Sequence, residues 1–207
     1  MDGAWQTAST GDASAPPSGV VGPNAVIQLA EAMRAAEGEA ATQHLFASAG
    51  QSALLDAPPE AMIDERIPRA LFDAFWRAWP ADVARAVSDD AGRRVADYII
   101  AHRIPRLAQR VLALLPAGPA TDLLMTAIQH HAWTFAGSGL CRIQRHPTRL
   151  ISISDNPLTM PDSVWHAAVL TRLFQRLASP RAAIRLRACC HDGAEACQFE
   201  IALTPRG

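Results

Sequence analysis

Lysine is missing from this 207-residue chain: all 19 basic residues are arginine. Schiff-base chemistry and lysine-assisted phosphate binding are therefore excluded. Two readings of the arginine excess stay open, a coding bias shared with the abundant alanine and a use in bidentate anion contacts. The phosphate and nucleophile motifs are missing too. There is no G-x-G-x-x-G after a strand, no G-x-x-x-x-G-K-[ST], no G-x-S-x-G elbow and no H-E-x-x-H. A reductase needs a hydride or electron donor, and donors leave recognisable binding motifs; this chain carries none of them. Positive charge is not in clustered excess, since the formal net charge is −1. A basic nucleic-acid-binding domain is thus not expected. No apolar run reaches the roughly 18 residues that would span a bilayer. Met1 to Ser18 lacks the basic start and apolar run of a signal peptide. A reducing cytoplasm is the expected compartment.

What is present is an ordinary globular composition, 49% hydrophobic and 19% charged. A chain of this length buries enough surface to hold a core without disulfides or metal. Residues 1–20, rich in Ala, Ser, Gly, Pro and Thr, read as a flexible tail. Order is expected from Gly22-Pro23-Asn24, with Val26, Leu29, Ala30 and Met33 at helical spacing. A short helix over Glu39 to Ala49 should stop at Gly50. From Pro59 to Phe135 helix follows helix, with Pro68, Pro80, Pro105 and Pro119 each placed to open a first turn.

The pattern changes at Gly137-Ser138-Gly139. Leu140 to Arg145 and Arg149 to Ser154 alternate as a hairpin. Val164 to Leu177 reads as an amphipathic helix. Ala183 to Ala188 and Gln198 to Leu203 form a second antiparallel pair. The expected fold is α/β in the α+β sense: a helical region 21–136 packed with a ββαββ antiparallel-sheet region 137–207, together one unit.

Several groups could carry chemistry. Cys189 and Cys197 face each other across a predicted hairpin, with Cys190 adjacent. They suit zinc, plain burial or an intermittent redox pair. His130 and His131 end a helix just before Trp133 and Phe135, and His166 follows Trp165. A neutral imidazole beside aromatics can ligate a metal held in a flat aromatic ligand; equally, it can close the core at a helix end. Asp64-Glu65 and Asp89-Asp90 read as solvated helix starts. Arg93-Arg94, Arg103, Arg106 and Arg110 form a basic stripe, either solvated or placed to meet carboxylates of a ligand or partner.

Three segments carry a family resemblance: Gly22-Pro23-Asn24-Ala25-Val26-Ile27-Gln28-Leu29, Ala96-Asp97-Tyr98-Ile99-Ile100-Ala101-His102-Arg103-Ile104-Pro105, and His131-Ala132-Trp133-Thr134-Phe135-Ala136-Gly137-Ser138-Gly139. They resemble the bacteriochlorophyll 4-vinyl reductase proteins of purple phototrophic bacteria, over Gly22 to about Ile201. The C-terminal half is similar to the wider 4-vinyl reductase domain family. The resemblance implies an α/β small-molecule-binding fold and a role in bacteriochlorophyll synthesis, on intermediates that still carry an 8-vinyl group.

Zinc-binding relatives imply a site of which Cys189 and Cys197 match the last two ligands. Leu186 and Ser163 stand at the other two positions, so two of four ligands are lost. Cys190 and His191 are the nearby substitutes. The residues suit a carrier of a Mg-porphyrin or chlorophyllide intermediate better than a reductase. His131, Trp133, Phe135, Trp165 and His166 are the expected ligand-binding residues, and no catalytic residue is assigned. The implied partners are pathway enzymes, such as the porphyrin subunit of Mg-chelatase and a methyltransferase. A homodimer and a position at the edge of the photosynthetic membrane belong to the same expectation. The alternatives are an 8-vinyl reductase fed by an external electron donor and a protein–protein adaptor.

Overall fold

Prolines set the helix starts. Pro80, Pro105 and Pro116 each stand immediately before a helix with φ between −57° and −54°. There the missing N–H costs nothing, because the first turn has no internal acceptor for it. The computed structural model describes residues 19–203. The helical part comprises α1 (Asn24–Glu37), α2 (Glu39–Ser48), α3 (Ala53–Asp56), α4 (Arg66–Ala78), α5 (Ala81–His102), α6 (Arg106–Leu114), α7 (Ala117–His130) and α8 (Trp133–Ala136). Gly38, at φ +86°, turns the chain sharply between α1 and α2.

Two two-residue strands, β1 (Val20–Val21) and β2 (Ile63–Asp64), pair antiparallel beside these helices. Gly19, whose carbonyl accepts from the Glu65 N–H, and Val20 therefore belong to the fold although composition places them in the expected tail. The rest of that tail, residues 1–18, lies outside the described residues.

The second part is a four-stranded antiparallel sheet with one helix. Its strands are β3 (Leu140–Gln144), β4 (Leu150–Ser154), β5 (Ala182–Ala188) and β6 (Ala196–Leu203), in spatial order β3-β4-β6-β5. The crossover from β4 to β5 is α9 (Val164–Leu177). Alternation assigns the faces: Cys141, Ile151, Ile153, Cys197, Phe199 and Ile201 are buried, whereas Arg142, Gln144, Ser152, Gln198 and Arg185 point the other way.

Both parts share one core. The 22-residue α5 is its axle, packed against α1 on one side and α9 on the other. Its buried row is Ala84, Val87, Ser88, Ala91, Gly92, Val95, Ala96 and Ile100, mostly small side chains. Small residues let two helices approach closely, and the approach is tightest at Gly92. A Cβ there would stand 2.5 Å from the Trp165 carbonyl oxygen and 2.8 Å from the Ala168 Cβ. Because α9 lies between α5 and the sheet, it is buried nearly all round in its first two turns.

Among the described residues, no helix is long and apolar enough to cross a membrane.

Candidate functional site

Trp165 and His166 occupy the first turn of α9, and each is 1% exposed. Neighbours on a helix project about 100° apart, so the two rings serve different walls. The Trp165 ring lies 6.1 Å from that of Phe72 on α4. His166 turns to α8 and the sheet, with Phe135 at 6.2 Å and Phe199 at 6.3 Å, and Trp165 stands edge-on to it at 4.9 Å.

The His166 Nε2 lies 3.3 Å from the Phe135 carbonyl oxygen. A carbonyl can only accept, so Nε2 carries the proton and donates it. That leaves Nδ1 as a lone-pair nitrogen, buried and, among the described residues, without a partner. Burial pushes the imidazole down to about 4, with the Phe135 bond opposing. The ring is therefore neutral at neutral pH. The indole Nε1 of Trp165 is likewise buried without a partner.

The structure thus brings Phe135, Trp165 and His166 together. His131 stays exposed at the end of α7, and Trp133 is half-buried at the start of α8. The backbone N–H of His131 donates to Ala127, and its carbonyl accepts from the Thr134 hydroxyl at 2.8 Å, so it closes the helix end. Phe199 escaped the sequence reading. Its signal was the alternation Cys197, Phe199, Ile201, which puts it on the buried face of β6.

A junction after α8 holds this wall in place. Gly137 has φ +56°, and a Cβ there would collide with the Glu65 carboxylate. Glu65 accepts from both the backbone N–H and the hydroxyl of Ser138, each at 2.7 Å. It is therefore not a solvated helix start but a clamp between the α4 entry and the α8–β3 turn. Asp89 and Asp90 are not free either: they pair with Arg93 and Arg94 one helical turn on.

Cys189 and Cys197 do meet, and Ser163 meets them. The Ser163 hydroxyl donates to the Cys197 sulfur at 3.1 Å and lies 3.5 Å from that of Cys189. Ser163 precedes α9 in a left-handed conformation, φ +44°, and does not cap the helix with its side chain. Burial would raise the Cys197 thiol pKa. Bonds from Ser163, the Cys190 backbone N–H and Asn156 outweigh it and hold the thiol below its usual value. Cys190 next to it is pushed up to about 11, mainly by burial.

Tetrahedral zinc takes four ligands. Cys189, Cys197 and the Ser163 hydroxyl do not supply that set; the Cys190 thiol turns to the Ile153 carbonyl at 3.7 Å and His191 is exposed. Among the described residues no three His, Cys, Asp or Glu side chains are grouped for a metal. The donors do not fit zinc. Prolonged chelation should leave the melting temperature unchanged, and a fall followed by recovery with added zinc would reverse that assignment.

Among the described residues, two of the surface depressions are lined by arginines and sheet residues, and neither has His166 in its lining. One, of about 460 Å³, lies among α5, α6 and α9, with Arg106, Arg172 and Arg176 in its lining. The other, about 510 Å³, covers the outward face of the sheet around Arg142, Gln144, Ser152 and Gln198.

Comparison with known proteins bears on what this arrangement serves. The chain is 40% identical over 193 residues to the bacteriochlorophyll synthase 23 kDa chain of Cereibacter sphaeroides, covering 90% of this chain and 91% of that one. The chain belongs to the bacteriochlorophyll synthase 23 kDa chain family. A second member of the family, from Rhodobacter capsulatus, is 33% identical over 192 residues, covering 90% and 88%. The name shared by these relatives speaks of bacteriochlorophyll synthase, not of 4-vinyl reduction. No protein-family profile matches the chain. Among solved structures, an H-NOX protein from S. oneidensis in the Fe(II)NO ligation state superposes with a TM-score of 0.51. The match covers 89% of this chain and 100% of that one at 13% identity. At that identity the likeness concerns the mixed helical and antiparallel-sheet fold alone.

Proposed function

We propose that the chain serves bacteriochlorophyll biosynthesis by binding a magnesium tetrapyrrole intermediate and passing it to a pathway enzyme. The family membership supports the pathway. One observation supports the chemistry: a buried, neutral imidazole whose Nδ1 has no partner, ringed by Phe135, Trp165 and Phe199. Magnesium in a porphyrin takes an axial nitrogen, and an imidazole lone pair is a ready donor. The surrounding rings, with Trp133 at the edge, offer stacking area to a flat macrocycle.

The wall is closed, so entry requires α8 to part from α9. The contacts to release are the His166–Phe135 hydrogen bond and the Glu65 clamp on Ser138. His131, exposed at the start of this segment, is the alternative axial ligand. In this reading the porphyrin subunit of Mg-chelatase supplies the magnesium tetrapyrrole, and the methyltransferase that follows it receives it.

The test is an absorbance and tryptophan-quenching titration with Mg-protoporphyrin and with metal-free protoporphyrin. The wild-type chain should prefer the magnesium form by about tenfold, a modest axial contribution. His166→Leu should abolish the preference while leaving metal-free binding intact; if His131→Ala does so instead, His131 is the ligand. No saturable binding, or a preference that survives both variants, would sink the proposal. Formation of a monovinyl product on adding reduced donors would replace the carrier with a reductase. Complexes with pathway enzymes that form equally well without pigment would replace it with an adaptor.

A further inference from the structure

We propose that α6 is a docking surface for an anionic membrane. This inference is independent of the tetrapyrrole reading and rests on another part of the molecule.

The helix α6 buries one side chain, Leu112. On its far side Leu107, Val111 and Leu114 are 73%, 45% and 86% exposed. Their spacing of four and then three residues lines them up in one row along the helix. Scattered exposed leucines are ordinary, but an aligned exposed apolar row flanked by arginines on one helix is the pattern of a helix lying in a membrane interface.

Charge selects the occupant. Arg106 and Arg110 run alongside the row, and Arg103 precedes it. None of the three forms an ion pair among the described residues, although nine other arginines do. The whole chain carries a formal charge of −1, so this local cationic edge, not the overall balance, provides the attraction. The depression beside it adds one more cation that is unpaired among the described residues, Arg176. Asp97, the one carboxylate in its lining, is engaged by Arg172 at 2.9 Å and 3.0 Å. Arginines beside an apolar row keep their heads among lipid phosphates while their stems lie along the acyl boundary. A neutral apolar partner would leave these cations unmatched, whereas a bilayer rich in anionic lipid satisfies row and edge together.

The helix is also tied to the rest of the fold. The Gln109 side-chain amide donates to the Ile100 and Ile104 carbonyls at 2.7 Å and 2.8 Å, fixing α6 against the end of α5.

The experiment is co-sedimentation of the full chain with phosphatidylcholine vesicles, with and without phosphatidylglycerol. Binding should be at least about tenfold stronger to the anionic vesicles and should weaken with salt. Leu107→Ser with Leu114→Ser should cut it by about tenfold, from lost apolar contact. Arg106→Gln and Arg110→Gln should each cut it by about fivefold. All four side chains are exposed, so unchanged melting curves accompany these losses. Equal binding to both vesicle types, no binding to either, or variants that bind like the wild type would overturn the proposal. So would a dimer in light scattering that the leucine variants dissolve, since the row would then be a contact between two copies.

Discussion

Gly92→Ala should lower the melting temperature, although alanine is the better helix former. In an exposed helix interior the change would gain about 1 kcal/mol. Here the added carbon would sit 2.5 Å from a backbone carbonyl and 2.8 Å from another Cβ. Neither atom belongs to a flexible side-chain end, so relief requires α9 to move as a body. That movement would carry Trp165 and His166 with it and loosen the contacts of α9 on the sheet. Overpacking of this kind costs about 1–3 kcal/mol and sometimes more. With both clashing atoms held in packed elements the cost falls in the upper part of that range, so the steric term wins, leaving a net loss of up to about 2 kcal/mol, or up to roughly 8 °C for a domain of this size. Gly92→Val should lose more, since it adds two further methyl groups at the same crossing. Thermal unfolding followed by circular dichroism measures both. A Gly92→Ala chain that melts at or above the wild type would mean that α5 and α9 do not cross this closely.

Local chemistry explains which parts of the fold were legible in the sequence. The bounds of α9 are those that its apolar spacing predicts, Val164 to Leu177. Its ends are marked by a strand, a turn and a polar face, all encoded nearby. The two hairpins came from alternation, and the long helices from proline placement. The start of α7 was read too late: it opens at Ala117 behind Pro116, so that Pro119 falls within the first turn. The bridge of β1 with β2 was not legible, because two residues carry no period. Contacts distant in sequence were not legible either. Glu65 clamps Ser138 across 73 positions, and nothing near Asp64-Glu65 announces it. The meeting of Ser163 with Cys189 and Cys197 followed from a resemblance rather than from spacing.

The histidines illustrate the limit best. His131 and His166 each stand beside aromatics, so both suited a ligand role, and the sequence put His131 first. Only packing separates them: one ends a helix in solvent, and the other is sandwiched between a helix and a sheet.

Acidification should expose that difference as a loss of stability. His166 has a pKa of about 4 in the folded chain against 6.5 as a free side chain. Between those values the unfolded state binds a proton that the folded state refuses. Stability therefore rises with pH through this window and is flat, for this group, above 6.5. The full effect is about 3 kcal/mol, a large share of what holds a domain together. The carboxylates with lowered values, Asp64 and Asp122, act below their usual 3.8, so the window belongs to the imidazole. Urea unfolding at about pH 5 and about pH 7 should differ by about 2 kcal/mol in the wild type. His166→Phe, which keeps a ring among Phe135, Trp165 and Phe199, should remove most of that difference. The same proton would occupy Nδ1, the nitrogen that the carrier reading needs free, so Mg-protoporphyrin binding should fade at the acid end of the window. A variant that keeps the full acid sensitivity would show that the imidazole is not held neutral in the core, and the lone pair on which that reading depends would no longer be there to offer.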